Sequence, residues 1–188
     1  MSSVVNVTGV QGGPSFADSE RSPDRLHGAA VVRILFGLLW AADATFKWLP
    51  GFIHGQTVAR DLNPAAVPTP VIHQWLEVWH AAAAPAPAAM AVAIAVIETL
   101  IAVGMVFGIL SNLVFVGSAA YSFGVWTAPE HLHLPWMSGN TDLGPSVGYM
   151  LASLALLFAA AGATWSVDVV IRPHLGPLAP LAGSVPAA

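Results

Sequence analysis

The 188 residues contain no cysteine. Disulfide staples, thiolate metal sites and thiol-relay chemistry are therefore excluded. So is the disulfide-to-quinone electron relay that some four-helix membrane proteins run. Charge is nearly as scarce, with Asp, Glu, Lys and Arg making up 9% of the chain, against about a quarter in an ordinary soluble domain. Six basic and ten acidic groups leave a formal net charge of −4, and no basic patch suggests a nucleic-acid partner.

Apolar sequence takes the place of charge. Hydrophobic residues make up 56% of the chain, and the mean hydropathy is +0.70. Crossing a hydrocarbon core takes roughly 20 mostly apolar residues as a helix. Strands would cross only as a closed barrel, with alternating apolar and polar positions. Here the apolar runs are continuous and rich in Ala, Leu and Val. The sequence therefore predicts an all-α integral membrane protein, a bundle of four transmembrane helices over about 28–48, 88–110, 113–128 and 145–165.

This gives a membrane domain over 27–168, a polar cytoplasmic leader over 1–26 without the layout of a signal peptide, and a Pro-rich cytoplasmic tail over 169–188 that is not expected to pack. Arg21, Arg25 and Arg172 flank one side of the bundle, with Arg33 just inside it, while Lys47 and Arg60 mark the other. The excess of basic residues on the first side places both termini in the cytoplasm and both long connections outside. The first connection contains an amphipathic segment, with Val71, Ile72, Trp75, Leu76 and Trp79 on its apolar side. It reads as a short interfacial helix lying across the outer mouth. Gly104 and Gly108, and Gly148 with Ala152, have the small-residue spacing that lets helices approach closely.

Ionisable residues within a span are costly and mark either helix register or function. The first span carries Arg33, Asp43 and Lys47, which fall within about 80° of one another on a helix, with Trp40 on the same face. The second carries Glu98 alone. Arg33–Glu98 is the expected intramembrane pair, and Asp43–Lys47 at i,i+4 can satisfy each other. These pairs are open to two readings: a lock on helix register, or a site where Glu98 and Arg33, with Tyr121 on the third span, handle protons or hold a quinone headgroup.

The outer connections hold His54, His73, His80, His131 and His133. His73, Glu77 and His80, at i, i+4 and i+7, could bind a metal as two histidines and one carboxylate, or could simply be the wet face of the interfacial helix. No histidine falls mid-span, which argues against a buried bis-histidine haem. Glu130, His131, His133, Trp136 and Asp142 supply polar and aromatic groups for a site at the outer edge.

Three stretches together resemble the DoxX-like family, which includes DoxD, the small membrane subunit of thiosulfate:quinone oxidoreductase. They are RILFGLLWAADATFKWLPGF, IETLIAVGMVFGILSNLV, and GNTDLGPSVGYMLASLALLF with the following AGATWSVD. In order and spacing they cover about residues 30–170, and Arg33, Lys47, Glu98 and Asp142 match family-like positions. The resemblance implies a subunit in the cytoplasmic (inner or plasma) membrane of a prokaryote, passing electrons from a sulfur substrate to quinone with a partner subunit. Without cysteine, covalent sulfur carriage by this chain is excluded.

Catalytic roles then fall to Glu98, Arg33 and Tyr121, and substrate contacts to Lys47, Asp43, Trp40, His131, His133 and Asp142. Quinone is the cofactor implied, no metal is expected, and partners are the bilayer, a soluble or membrane redox subunit, or further copies of the chain. The alternatives are a non-catalytic membrane scaffold for a redox or detoxification complex and, more remotely, a small-solute transporter, whose usual repeats and interrupted spans are absent from the sequence.

Overall fold

Proline punctuates this chain. The computed structural model describes residues 23–66, 70–132 and 142–184, and five of its α-helices open on a proline. They are α1 (Pro23–Lys47), the short α2 (Pro50–Ile53), α4 (Pro70–Ala83), α5 (Pro87–Phe107) and α7 (Pro145–Phe158). The first helical turn tolerates proline because its N–H would have no intrahelical partner there. The other α-helices are α3 (Gln56–Asp61), α6 (Ser111–Thr127) and α8 (Asp168–Ile171), with 3-10 turns at Pro64–Ala66, Arg172–His174 and Gly176–Leu181. No strand occurs among the described residues.

Of these, α1 and α5 are long and apolar enough to cross a membrane, with mean hydropathies of 1.6 and 2.4 over their most apolar windows. Of the other two apolar helices, the third runs over Ser111–Thr127, close to its expected bounds, while the fourth stops at Phe158 instead of continuing to about 165. At about 1.5 Å per residue these two helices are about 26 and 21 Å long. Beyond Phe158 the chain turns through Ala160, in the left-handed region at φ 49°. The carbonyls of Ala161, Thr164 and Trp165 are then taken by Arg33 rather than by helical N–H groups.

Helix α1 packs along α5, and α6 along α7. A tight turn joins the two pairs between Phe107 and Ser111. Gly108 makes that turn possible: at φ 65° it sits where L side chains are strained, and an added Cβ would lie 2.6 Å from the Arg33 guanidinium. Gly148, by contrast, has nothing within 4 Å of an added Cβ, so it is not a helix-packing position. The α1 and α5 backbones approach closely at Gly37 on α1, where a Cβ would meet the Val106 backbone nitrogen of α5 at 2.8 Å. A Gly37→Val substitution should therefore force the helices apart and lower stability by about 1–3 kcal/mol, read as a lower unfolding midpoint in mild detergent.

Two apolar cores result. One lies between the long helices and includes Trp40, Ile101, Met105, Phe115 and Leu156. The other sits under the first long connection, where Val58, Leu62, Ile72, Leu76, Ala91 and Ala128 pack together. Ile72 and Leu76 of α4 thus face the protein's own core, while Trp75 and Val78 stay exposed.

The segment from Asp168 to Ser184 is anchored at both ends, at Asp168 and at Ala182–Gly183, contrary to the loose tail expected from its prolines, while most side chains between stay exposed. The buried Asp168 carboxylate accepts hydrogen bonds from the backbone N–H groups of Leu110, Ser111 and Gly183, each at 2.7 Å. Asn112 donates to the carbonyls of Pro180 and Ala182. The leader up to residue 22 lies outside the described residues.

Candidate functional site

The four long helices line a half-open cavity of about 240 Å³ toward the end that carries the two long connections. Helix α1 contributes Trp40, Asp43 and Lys47, which recur at helical spacing on one face. Glu98 comes from α5, Tyr121, Ser122 and Val125 from α6, and Pro145, Ser146 and Tyr149 from the start of α7. Glu130 reaches the cavity from just beyond α6, beside a kinked stretch where His131 and Leu132 both have positive φ. Three carboxyl groups and one amine therefore share a small, half-open space.

The pairing differs from the sequence expectation. Arg33 is not the partner of Glu98. It is fully buried at the turn end of the bundle, where its guanidinium donates to backbone carbonyls, to Ala161 at 2.9 Å, and lies within electrostatic reach of Asp168. Nor is Lys47 the partner of Asp43. Lys47 Nζ lies 3.3 Å from Glu98 Oε1, and Tyr121 donates to the same oxygen at 2.7 Å. Asp43 Oδ2 instead accepts from Tyr149 at 2.6 Å. The physical reason is reach: lysine extends across to the facing helix, and the tyrosine hydroxyl of α7 supplies Asp43 with a short neutral donor.

Four lining residues have a buried polar atom without a hydrogen-bond partner: Trp40 Nε1, Glu98 Oε2, Ser122 Oγ and Glu130 Oε2. Glu130 Oε1 is held by the Ser146 hydroxyl at 2.6 Å. Around these atoms the walls are aromatic, with Trp40 packed 5.9 Å from Tyr121 and edge-on to Tyr149 at 5.1 Å between ring centroids. Unpaired polar atoms in a buried space are costly. Here they are left to pair with water or with a bound polar group.

Of the residues singled out from sequence, Glu98, Tyr121, Lys47, Asp43 and Trp40 come together here. His131 does not join them, since its Nε2 is 3.1 Å from the Asp61 carbonyl. Asp142 accepts from the Gly144 N–H at 2.8 Å, ahead of α7, and is not part of the lining. His133 and Trp136 lie outside the described residues. The metal triad of His73, Glu77 and His80 does not form. His73 contacts the Pro64 carbonyl through Nδ1 and Glu77 through Nε2, and no group of three or more potential ligands converges among the described residues. Tyr149 is the residue that sequence reasoning missed. The chain has only two tyrosines, and both donate to a carboxylate in this cavity, so the criterion that marked Tyr121 would have marked Tyr149 too.

No family model, no curated protein and no solved structure matches this chain.

Proposed function

We propose that the protein is a DoxX/DoxD-like membrane subunit of a quinone-linked redox complex, a four-span bundle whose cavity holds the quinone headgroup. The membrane reading is supported by side-chain placement. Arg33 and Glu98 are buried, while Leu35, Leu100 and Phe158 are 60%, 64% and 85% exposed. That is the expected arrangement for a bundle with lipid outside and polar groups within.

The observation that carries the quinone reading is the set of unpartnered atoms. Trp40 Nε1 is a donor suited to a quinone carbonyl, and Glu98 Oε2 and Glu130 Oε2 are acceptors suited to a quinol hydroxyl; the Lys47 amine, paired with Glu98 Oε1, lines the same space and can donate a further hydrogen bond. The aromatic walls suit a flat ring. A quinone supplies a two-electron, two-proton acceptor, with electrons delivered by a partner subunit. The protein's share is to bind the ring, to exclude bulk water, and to hold or release a proton at Glu98, whose other oxygen is fixed by Tyr121 and Lys47.

Protein purified in native-lipid discs should carry quinone. Replacing Lys47 with Met should weaken quinone binding roughly 10-fold or more, the worth of one hydrogen bond from a charged donor. Titration of Trp fluorescence quenching measures this. A variant that binds as tightly as the parent protein would remove Lys47 from the site.

A further inference from the structure

A guest with a lipid tail that comes from the bilayer reaches this cavity between helices, and the seams are not equally closed. The α1/α5 seam is tight at Gly37. The α6/α7 seam is pinned by the buried Ser118–Ser153 hydroxyl pair at 2.9 Å. Helices α5 and α6 are joined by their turn and bridged beside the cavity by Tyr121 and Glu98. The α1/α7 seam is the sparsest of the four. Among the described residues, every hydrogen bond and ring contact between α1 and α7 belongs to one side chain, Tyr149. Its hydroxyl holds Asp43, and its ring lies 5.3 Å from Phe36 and 5.1 Å from Trp40.

We propose that the cavity is loaded sideways from the bilayer through the α1/α7 seam, with Tyr149 as the side chain that closes it. The inference rests on the quinone reading and adds the route and the kind of guest, a tailed quinone drawn from lipid. Beside the cavity, opening the seam breaks one hydrogen bond and moves one ring, while Arg33 keeps the far end of α1 tied to the chain after α7. Opening does not strand Asp43, because Lys47 lies one helical turn away and can take over as its partner. The α7 surface beside Tyr149 is also open, since nothing lies within 4 Å of a Cβ placed at Gly148. Lys47, part-exposed at the connection end, marks a second, polar approach for a tailless quinone.

The test is stopped-flow quenching of Trp fluorescence, using the full chain in lipid nanodiscs and two probes, a decyl-tailed quinone and a tailless water-soluble one. Tyr149→Phe keeps the ring and removes only the hydroxyl. It should raise the ratio of tailed to tailless association rates roughly 10-fold, on the scale of a hydrogen bond to a charged acceptor. Asp43→Asn, which weakens the same bond from the other side, should move the ratio in the same direction. If both quinones quench the parent protein but neither variant shifts the ratio, the gate is wrong and the quinone site stands. If neither quinone quenches the parent protein, the quinone reading falls and the gate falls with it.

Discussion

Glu98→Gln should lower quinone reduction by roughly 10²–10⁴-fold, the usual contribution of a positioned proton-transfer group, while quinone binding is largely kept. Glutamine preserves the shape of Glu98 and can still accept from Tyr121. It cannot take up or release a proton. The measurement is substrate-dependent quinone reduction in host membranes in which the variant replaces the parent chain, alongside a binding titration on the purified protein. Equal loss of binding and turnover would make Glu98 a ligand-holding group only. Unchanged turnover would favour the scaffold reading, in which the chain anchors a complex and its polar interior serves packing alone.

The second large effect is expected on stability, at the opposite end of the bundle. Asp168 is fully buried. Its carboxylate gathers three backbone N–H groups from the α5–α6 turn and the C-terminal segment. It also offsets the charge of Arg33, whose guanidinium ties down the chain after α7. Asp168→Ala removes the three hydrogen bonds and the nearby negative charge, and each backbone N–H left buried without an acceptor costs about 1–3 kcal/mol. Set against a typical net stability of about 5–15 kcal/mol, that loss is enough to deplete the folded protein in membranes. Asp168→Asn retains one acceptor oxygen and should be milder. Helical circular dichroism during denaturant unfolding in mild detergent reads both. A midpoint for Asp168→Ala equal to that of the parent chain would show that the C-terminal segment is held by other means.

These two ends of the bundle also mark what could and could not be read from the sequence. The polar stripe of Trp40, Asp43 and Lys47 and the isolated Glu98 were legible because charge is rare in apolar runs and helical spacing fixes which residues share a face. Pair assignment was not legible. Arg33 and Lys47 are long enough to reach several partners, and the register between α1 and α5 is set by the close contact at Gly37 and Val106, which no single helix encodes. Asp168 stood beyond the last expected span, at the end of the expected membrane domain and just ahead of residues whose prolines argued against packing. Those prolines instead open 3-10 turns that wrap the segment back onto Asn112. The fourth helix looked longer than it is because the apolar run continues past Phe158, whereas the backbone carbonyls there bond to Arg33. Composition reports the apolar surroundings of that segment but not the partner of each carbonyl.

The central claim is that the cavity beside Glu98 binds a quinone ring. Photo-crosslinking tests it most directly. The protein in lipid discs would be labelled with a photoreactive quinone, digested and mapped by mass spectrometry, with and without excess unlabelled quinone. The account predicts label on the segments bearing Trp40, Glu98 and Tyr121, displaced by the competitor. Label spread over the exposed apolar faces at Leu35, Leu100 and Phe158, and undiminished by competitor, would contradict it.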